Sequence, residues 1–149
     1  MTQKPFIVVR DNLDRSSPSS DALQGAVLAI GNFEGVHRGH RALIATALAR
    51  GRVLNRPAAA LTFEPHPRAY FRPDEPVFRL TDEMAKLRLF AGTGLDGAVV
   101  LTFNAALARL EAWEFVEKIL VERYRAAGVV VGFDFQFGKQ RMGTADFLS

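Results

Sequence analysis

Four short apolar runs, separated by stretches with helical spacing, constrain the fold of this chain more than any other feature. The apolar runs are residues 26–30, 58–63, 97–103 and 129–133. The stretches with helical spacing are residues 41–49, 81–92 and 114–127. Short continuous apolar runs are typical of strands that are buried on both faces, and a period of three to four residues is typical of amphipathic helices. The pattern therefore predicts three strand–helix–strand units in a row.

Local signals predict where the first helix ends, where the second begins and which residues share a face of the second. Gly51 follows the first stretch and is expected to stop that helix. Thr81 is the expected N-cap of the second helix, because a hydroxyl side chain there can accept a backbone hydrogen bond. Met84, Leu87 and Phe90 have the spacing of one helical face, so we expect the three side chains to share a face of this helix.

Consecutive strand–helix–strand units with right-handed crossovers build an open, mostly parallel α/β sheet with helices on both faces. In such sheets the ligand binds beyond the carboxyl ends of the strands. All three histidines and six of the twelve phenylalanines fall at strand ends or in the loops that follow them. These loops are therefore the candidate functional segments.

The composition excludes several classes of protein. The chain has no cysteine, which excludes a disulfide scaffold, a cysteine-ligated zinc site and a thiolate nucleophile. The net charge of +3 fits a small anionic ligand, and acids and bases alternate along residues 109–125 without forming the basic stripe that a nucleic-acid partner requires. No uncharged stretch approaches the roughly 20 apolar residues of a membrane span, so we expect no membrane partner. Residues 6–9 are too short for a signal-peptide core, and a cytoplasmic location is expected.

Two glycine-containing segments resemble nucleotide-binding motifs but have the wrong context. Residues 92–97, GTGLDG, match the dinucleotide pattern, yet they follow a predicted helix and precede a predicted strand, which is the inverse of the required order. Residues 132–139, GFDFQFGK, differ from a phosphate-binding P-loop in glycine spacing, and Gln140 occupies the position of the magnesium-binding hydroxyl. Neither segment predicts a phosphate site.

The segment GNFEGVHRGH, residues 31–40, is the strongest functional signal. It lies between the first predicted strand and the first predicted helix, and Gly31, Gly35 and Gly39 allow a ligand to approach the backbone closely. His37 and His40 are three residues apart, which places them on one face of the first helical turn. Two imidazoles beside a helix N-terminus suit a phosphoryl group that gains negative charge during reaction.

These residues resemble the H-x-G-H signature of the nucleotidyltransferase superfamily. The longer pattern resembles the prokaryotic FAD synthetase family, the FMN adenylyltransferase module of bifunctional riboflavin kinase/FMN adenylyltransferases. Residues 61–68 (LTFEPHPR), 101–120 and 129–143 agree with that family in the same order. The resemblance implies a Rossmann-like nucleotidyltransferase sheet and the reaction of FMN with ATP to give FAD and pyrophosphate, with Mg²⁺ accompanying the ATP and no metal ligands expected from the protein.

The resemblance also implies roles for individual residues. The catalytic pair that stabilises the ATP α-phosphate would be His37 and His40. The ATP site would be lined by Gly31, Asn32, Phe33, Glu34, Gly35, Gly39 and Asp134. The flavin would be bound by Phe63, Pro65, His66, Pro67, Arg68, Phe103, Asn104, Phe135 and Phe137. Glu34 departs from the aspartate that is usual in the family.

The family pattern sets an expectation about domain organisation. Residues 1–149 would form one FMN adenylyltransferase domain that is incomplete at its C-terminus, because family members continue with a further strand and helix that carry a triphosphate-binding arginine. A β-barrel riboflavin kinase domain, normally fused to this module, would follow and is not part of this chain.

The residues leave four alternatives open. Another H-x-G-H transferase could act on pantetheine phosphate, nicotinate mononucleotide or a polyol phosphate. The chain could bind flavin or adenine nucleotides without turnover. His37, His40 and His66 could ligate zinc. Finally, the histidines could be structural residues of an α/β domain that binds no nucleotide.

Overall fold

The computed structural model describes residues 5–33, 38–64 and 83–132, except for the side chains of residues 38 and 39. These residues contain a five-stranded, fully parallel sheet, which confirms the predicted fold class. The strands are β1 (Ile7–Asp11), β2 (Val27–Ile30), β3 (Ala58–Glu64), β4 (Gly97–Thr102) and β5 (Gly128–Val131). Their order in the sheet is β1-β4-β3-β2-β5.

The helices are α1 (Arg38–Leu54), α2 (Glu83–Ala91), α3 (Ala105–Ala108) and α4 (Ala112–Glu114), and α4 runs into a π-helix, Phe115–Arg123. α1 and α2 cover one face of the sheet, and the π-helix covers the other. Along β2, Val27 and Ala29 pack toward α1 and α2, whereas Leu28 and Ile30 pack toward the π-helix. Within the described ranges, no helix is long and apolar enough to cross a membrane.

The direction of chain progression reverses at β2. From β2 the chain steps to β3 and then to β4, whereas β5 pairs with β2 on its opposite side. In open α/β sheets, the crevice at such a reversal, beyond the carboxyl ends of the strands, is the usual ligand site. Ile30 pairs with Val131, so the segment that begins at Gly31 starts at this switch point.

The structure adds one strand to the four that the apolar runs predict. β1 pairs with β4 at the edge of the sheet. It buries Val9 and Asp11 and exposes Val8 and Arg10, so it lacks the continuous apolar run of a central strand. An edge strand with one buried face shows only weak alternation over five residues.

The expected end of the first helix is wrong. α1 continues through Gly51 to Leu54, and Asn55 then adopts the left-handed conformation, with a φ of 54°, that often terminates a helix. Gly51 instead permits a close approach of two chain segments: a Cβ at this position would lie 2.9 Å from the backbone oxygen of Arg56. Glycine is required there by packing and does not act as a stop.

The three residues predicted to share a face of the second helix differ in burial. Leu87 and Phe90 are buried, but Met84 is 58% exposed. Lys86 is buried in its place, at 1% exposure. Thr81, the expected N-cap, lies outside the described residues. The third predicted helix is α-helical only as far as Glu114. The π-helix that follows buries Phe115, Ile119 and Leu120, and Tyr124, directly after it, is buried as well.

Candidate active site at the carboxyl ends of the strands

The segment after β2 contains three of the residues expected at the ATP site, Gly31, Asn32 and Phe33. The N–H of Gly31 donates to the backbone oxygen of Leu61 at 3.1 Å, so the segment remains attached to β3. Phe33 then adopts a left-handed backbone, with φ of 55°. This conformation is uncommon for a bulky residue and persists only where the surroundings hold it.

The ring of Phe33 supports His40. Phe33 is 1% exposed, and its ring meets Phe90 of α2 edge-on at a centroid distance of 4.9 Å. On another side, its centroid lies 5.1 Å from that of the His40 imidazole. A Cβ on Gly31 would lie 3.3 Å from the same phenylalanine ring, so glycine provides room for the ring to fold back. The side chain of Phe33 therefore belongs to the core and backs the imidazole of His40.

The start of α1 has the electrostatic character of an anion site. α1 is 17 residues long, and its first turn, which contains Gly39 and His40, includes no acidic residue. The backbone N–H groups of a first helical turn and the positive end of the helix dipole favour negative charge at this position. His40 is half-buried there. The second predicted catalytic histidine, His37, lies outside the described residues.

Beneath the same segment lies a buried lysine that the sequence patterns did not predict. The ammonium of Lys86 donates to Asn32 O and Thr62 Oγ1, each at 3.0 Å, and pairs with Glu64 Oε1 at 3.1 Å. Thr62 Oγ1 in turn donates to Asn32 O at 3.3 Å. Its position in the sequence could have indicated this burial, because Lys86 is four residues before Phe90 and therefore lies on the apolar face of α2.

The residues expected on the flavin side include an aromatic group at the ends of β3 and β4. The ring of Phe63, which is buried, lies 6.3 Å from that of Phe103, edge-on, and 6.4 Å from that of Phe115. Asn104 follows directly. Its Oδ1 accepts from Leu107 N at 3.2 Å and caps α3, and its Nδ2 donates to Asn12 Oδ1 at 2.9 Å.

Other residues expected in the site lie outside the described residues: Glu34, Gly35, Pro65, His66, Pro67, Arg68, Asp134, Phe135 and Phe137. The described residues contain no group of three histidine, cysteine, aspartate or glutamate side chains that could hold a metal ion. Of the three histidines in the zinc hypothesis, only His40 is described.

A second buried ionic cluster lies at the end of β1. The carboxylate of Asp11 accepts from Arg123 Nε and Nη2, each at 2.7 Å, and from the Tyr124 hydroxyl at 2.6 Å. Burial alone would raise the pKa of Asp11, but the hydrogen bonds from Arg123 and Tyr124 hold that pKa below its ordinary value. Burial and the bond to Asp11 raise the pKa of Tyr124. The cluster fixes β1 to the end of the π-helix.

An open parallel sheet, a glycine at its switch point and an anion-favouring helix start define the class of open α/β proteins that bind ligands beyond the carboxyl ends of their strands. The chain belongs to the FAD synthetase family, because the model of that family matches residues 19–149. The resemblance found in the sequence motifs is thereby confirmed.

Named relatives agree with this family. The chain is 43% identical over 125 residues to the bifunctional riboflavin kinase/FMN adenylyltransferase of Escherichia coli strain K12, covering 84% of this chain and 39% of the relative. It is 43% identical over 126 residues to the protein of the same name from Pseudomonas fluorescens, covering 84% of this chain and 40% of the relative. A putative protein of that name from Geobacillus thermodenitrificans is 38% identical, covering 85% of this chain and 68% of the relative. The chain thus spans about two-fifths of the length of the first two relatives.

A solved structure shares the fold. A crystal structure described as a macrolide-efflux protein from Streptococcus pneumoniae superimposes with a TM-score of 0.75 and 26% sequence identity. The superposition covers 95% of this chain and 47% of the other. The arrangement of β-strands and helices found here therefore recurs in an experimental structure.

Proposed function

We propose that this chain is an FMN adenylyltransferase module, which joins the AMP portion of ATP to FMN and releases pyrophosphate. Membership of the FAD synthetase family supports this reaction, and the names of the E. coli and P. fluorescens relatives include the same activity. The observation that carries the proposal is the position of His40. It lies in the first turn of α1, directly after the loop at the switch point, with its imidazole backed by Phe33.

The reaction requires no covalent enzyme intermediate. A phosphate oxygen of FMN attacks the α-phosphorus of ATP in line with the leaving group. The new oxygen–phosphorus bond forms as the bond to the bridging oxygen breaks, and pyrophosphate leaves with that electron pair. Preorganised donors aimed at the oxygens of the α-phosphate stabilise the transition state. We assign this role to His40 and His37, assisted by the backbone N–H groups at the start of α1.

Asn32 supports placing ATP at this loop. Its Oδ1 is buried, and no described residue donates a hydrogen bond to it. A buried acceptor that lacks a donor costs about 1–3 kcal/mol, so such an atom at a predicted ligand site favours a ligand with a hydrogen-bond donor. We assign Asn32 to the recognition of ATP.

The magnesium ion is proposed to be held by the substrate. Magnesium commonly keeps several waters and binds substrate phosphates with few protein ligands. When bound with ATP, it would neutralise charge on the leaving phosphates.

The flavin is proposed to lie over the ends of β3 and β4. The half-buried Phe103, which packs edge-on against the buried Phe63, supports this position, because an aromatic side chain offers apolar contact to a planar ring system. We further propose that a riboflavin kinase domain supplies FMN to this module, since the relatives are named as bifunctional proteins.

The direct test is to incubate the purified protein with FMN, ATP and Mg²⁺ and to measure FAD and pyrophosphate. Equal amounts of both products are expected. Pantetheine phosphate and nicotinate mononucleotide, offered in place of FMN, should release little pyrophosphate. Efficient reaction with either would assign a different transferase.

If the protein binds FMN or ATP but does not react them, it is a nucleotide-binding module and not an enzyme. Thermal unfolding with FMN or ATP would then show a higher Tm, since a ligand that binds only the folded state stabilises it, while no pyrophosphate would form. Absence of both effects would contradict the proposed function.

A further inference from the structure

Lys86 joins the ends of two neighbouring strands through one buried ammonium group. An ammonium has three protons, and Nζ has three acceptors within 3.1 Å: Asn32 O after β2, Thr62 Oγ1 in β3 and Glu64 Oε1 at the end of β3. At 1% exposure, the lysine is shielded from water. Its hydrogen-bonding capacity is therefore used entirely for holding these two strand ends.

The two strand ends lead into the two halves of the proposed site. Asn32 lies within residues 31–40, the segment assigned to ATP. Glu64 is the last residue of β3 and directly precedes residues 65–68, which are predicted to contact the flavin. Lys86 therefore holds Asn32 and Glu64 in a fixed relation to each other, although it belongs to neither segment.

The bond to Asn32 O also acts on the strained residue that follows. The carbonyl of Asn32 and the N–H of Phe33 share one peptide plane, so holding that carbonyl limits rotation about φ of Phe33. Phe33 has a left-handed φ of 55°, and its ring contacts His40. Phe90, one turn after Lys86 on α2, supports the same phenylalanine ring. α2 thus contacts the segment after β2 twice: Lys86 binds Asn32 O, and Phe90 packs on the ring of Phe33.

Stability alone is a poor reason for a lysine at this position. Removing an ammonium and a carboxylate from water is costly, and apolar residues of similar volume often replace buried ion pairs with neutral or favourable effect on stability. What an apolar side chain cannot supply is a directed bond to each of two strand ends. The directionality of these bonds points to a role in geometry.

We propose that Lys86 is a positioning residue for adenylyl transfer: by holding the ends of β2 and β3 together, it sets the two substrates in the relative orientation that in-line attack requires. The inference rests on the function proposed above. A displacement of reacting groups by about 1 Å can slow an enzyme by about 10²-fold. The loss of Lys86 should therefore reduce the rate of the chemical step more than the binding of either substrate.

The test compares Lys86→Met with Lys118→Met, which removes an exposed lysine that pairs with Glu114 on the other side of the sheet. Lys86→Met is expected to lower kcat by roughly 10- to 100-fold, with much smaller changes in KM for ATP and FMN. Lys118→Met should retain the parental kcat. Thr62→Val keeps the shape of the threonine but removes the hydroxyl between Lys86 and Asn32, and should lower kcat in the same direction if Lys86→Met does not fold.

A double variant separates positioning from a general structural effect. If Lys86 acts on catalysis through His40, adding Lys86→Met to His40→Ala should lower kcat by much less than Lys86→Met lowers it in the parental protein. An unchanged kcat in both Lys86→Met and Thr62→Val would overturn the proposal while leaving the proposed function intact. A parental protein that forms no FAD would overturn the proposed function, and the role of Lys86 with it.

Discussion

The imidazole of His40 lies against the ring of Phe33, with 5.1 Å between the two ring centroids. Phe33 reaches this position through a left-handed backbone and is almost completely buried. One residue thus links the segment after β2, the first turn of α1 and, through Phe90, helix α2. Phe33 therefore backs the imidazole of the proposed catalytic histidine.

Replacing Phe33 by leucine should affect stability and turnover together. Phe33→Leu removes both aromatic contacts from a buried site, so we expect a loss of about 1–3 kcal/mol in the free energy of unfolding, measured in urea. The loss of support for His40 should also lower kcat by about tenfold. The control is Ile119→Val, which costs about 0.5–1.5 kcal/mol in the core on the opposite face and should retain kcat. Equal effects of the two variants on kcat would contradict the proposed support.

The central sheet could be predicted because its strands are buried on both faces. β2, for example, has four buried residues in succession, and this pattern survives in the sequence as an uninterrupted apolar run. β1 could not be predicted in this way, since Asp11 is buried by pairing with Arg123, more than one hundred residues away. The π-helix could not be predicted for a different reason: its buried residues Phe115, Ile119 and Leu120 have a spacing that also fits an α-helix.

Gly51→Ala should destabilise the protein, although alanine normally favours a helix. In an open helix interior this change gains about 0.5–1 kcal/mol. Here the new Cβ would lie 2.9 Å from Arg56 O, which is a backbone atom, and 3.3 Å from the Cβ of Ala58. We expect a net loss of about 1–3 kcal/mol in the free energy of unfolding.

Gly92→Ala is the control for this prediction, because its Cβ would lie at an ordinary 3.6 Å from Leu89 O. Its effect on the urea midpoint should be small. A stabilising effect of Gly51→Ala would show that α1 and the segment before β3 do not approach as closely as the structure indicates.

The Asp11–Arg123 pair should make stability sensitive to acid. Hydrogen bonds from Arg123 and Tyr124 outweigh the opposing effect of burial and hold the pKa of Asp11 below its ordinary value of 3.8. The unfolded chain therefore binds a proton more readily than the folded chain does. The contribution is complete above about pH 5 and is lost as the pH falls through the unfolded and then the folded pKa.

Asp11→Asn should remove this part of the pH dependence. It leaves Arg123 without its carboxylate, so we expect a loss of about 3–5 kcal/mol at pH 7. Urea unfolding of both proteins between pH 6 and pH 3 measures the effect. The difference between them should shrink as the pH falls, and a constant difference would show that the carboxylate of Asp11 is not paired as described.

The candidate site was predictable to the extent that its residues are adjacent in sequence. Gly31 and His40 belong to one short segment, and the structure places Gly31 directly after β2 and His40 in the first turn of α1. Lys86 lies 54 residues from Asn32, and only the folding of α2 against the sheet brings the two together. For Asn104 the family pattern predicts a flavin contact, but it does not predict the capping of α3 by this side chain, which the structure shows.

The most direct test of the central claim is the rate of FAD formation by His40→Ala at saturating FMN and ATP. Loss of one preorganised donor to the transition state should lower kcat by about 10²-fold or more, while the urea midpoint changes little. Arg50→Ala, at an exposed position of the same helix, should keep the parental rate. A His40→Ala protein that forms FAD as fast as the parent would contradict the assignment of the α-phosphate to the start of α1.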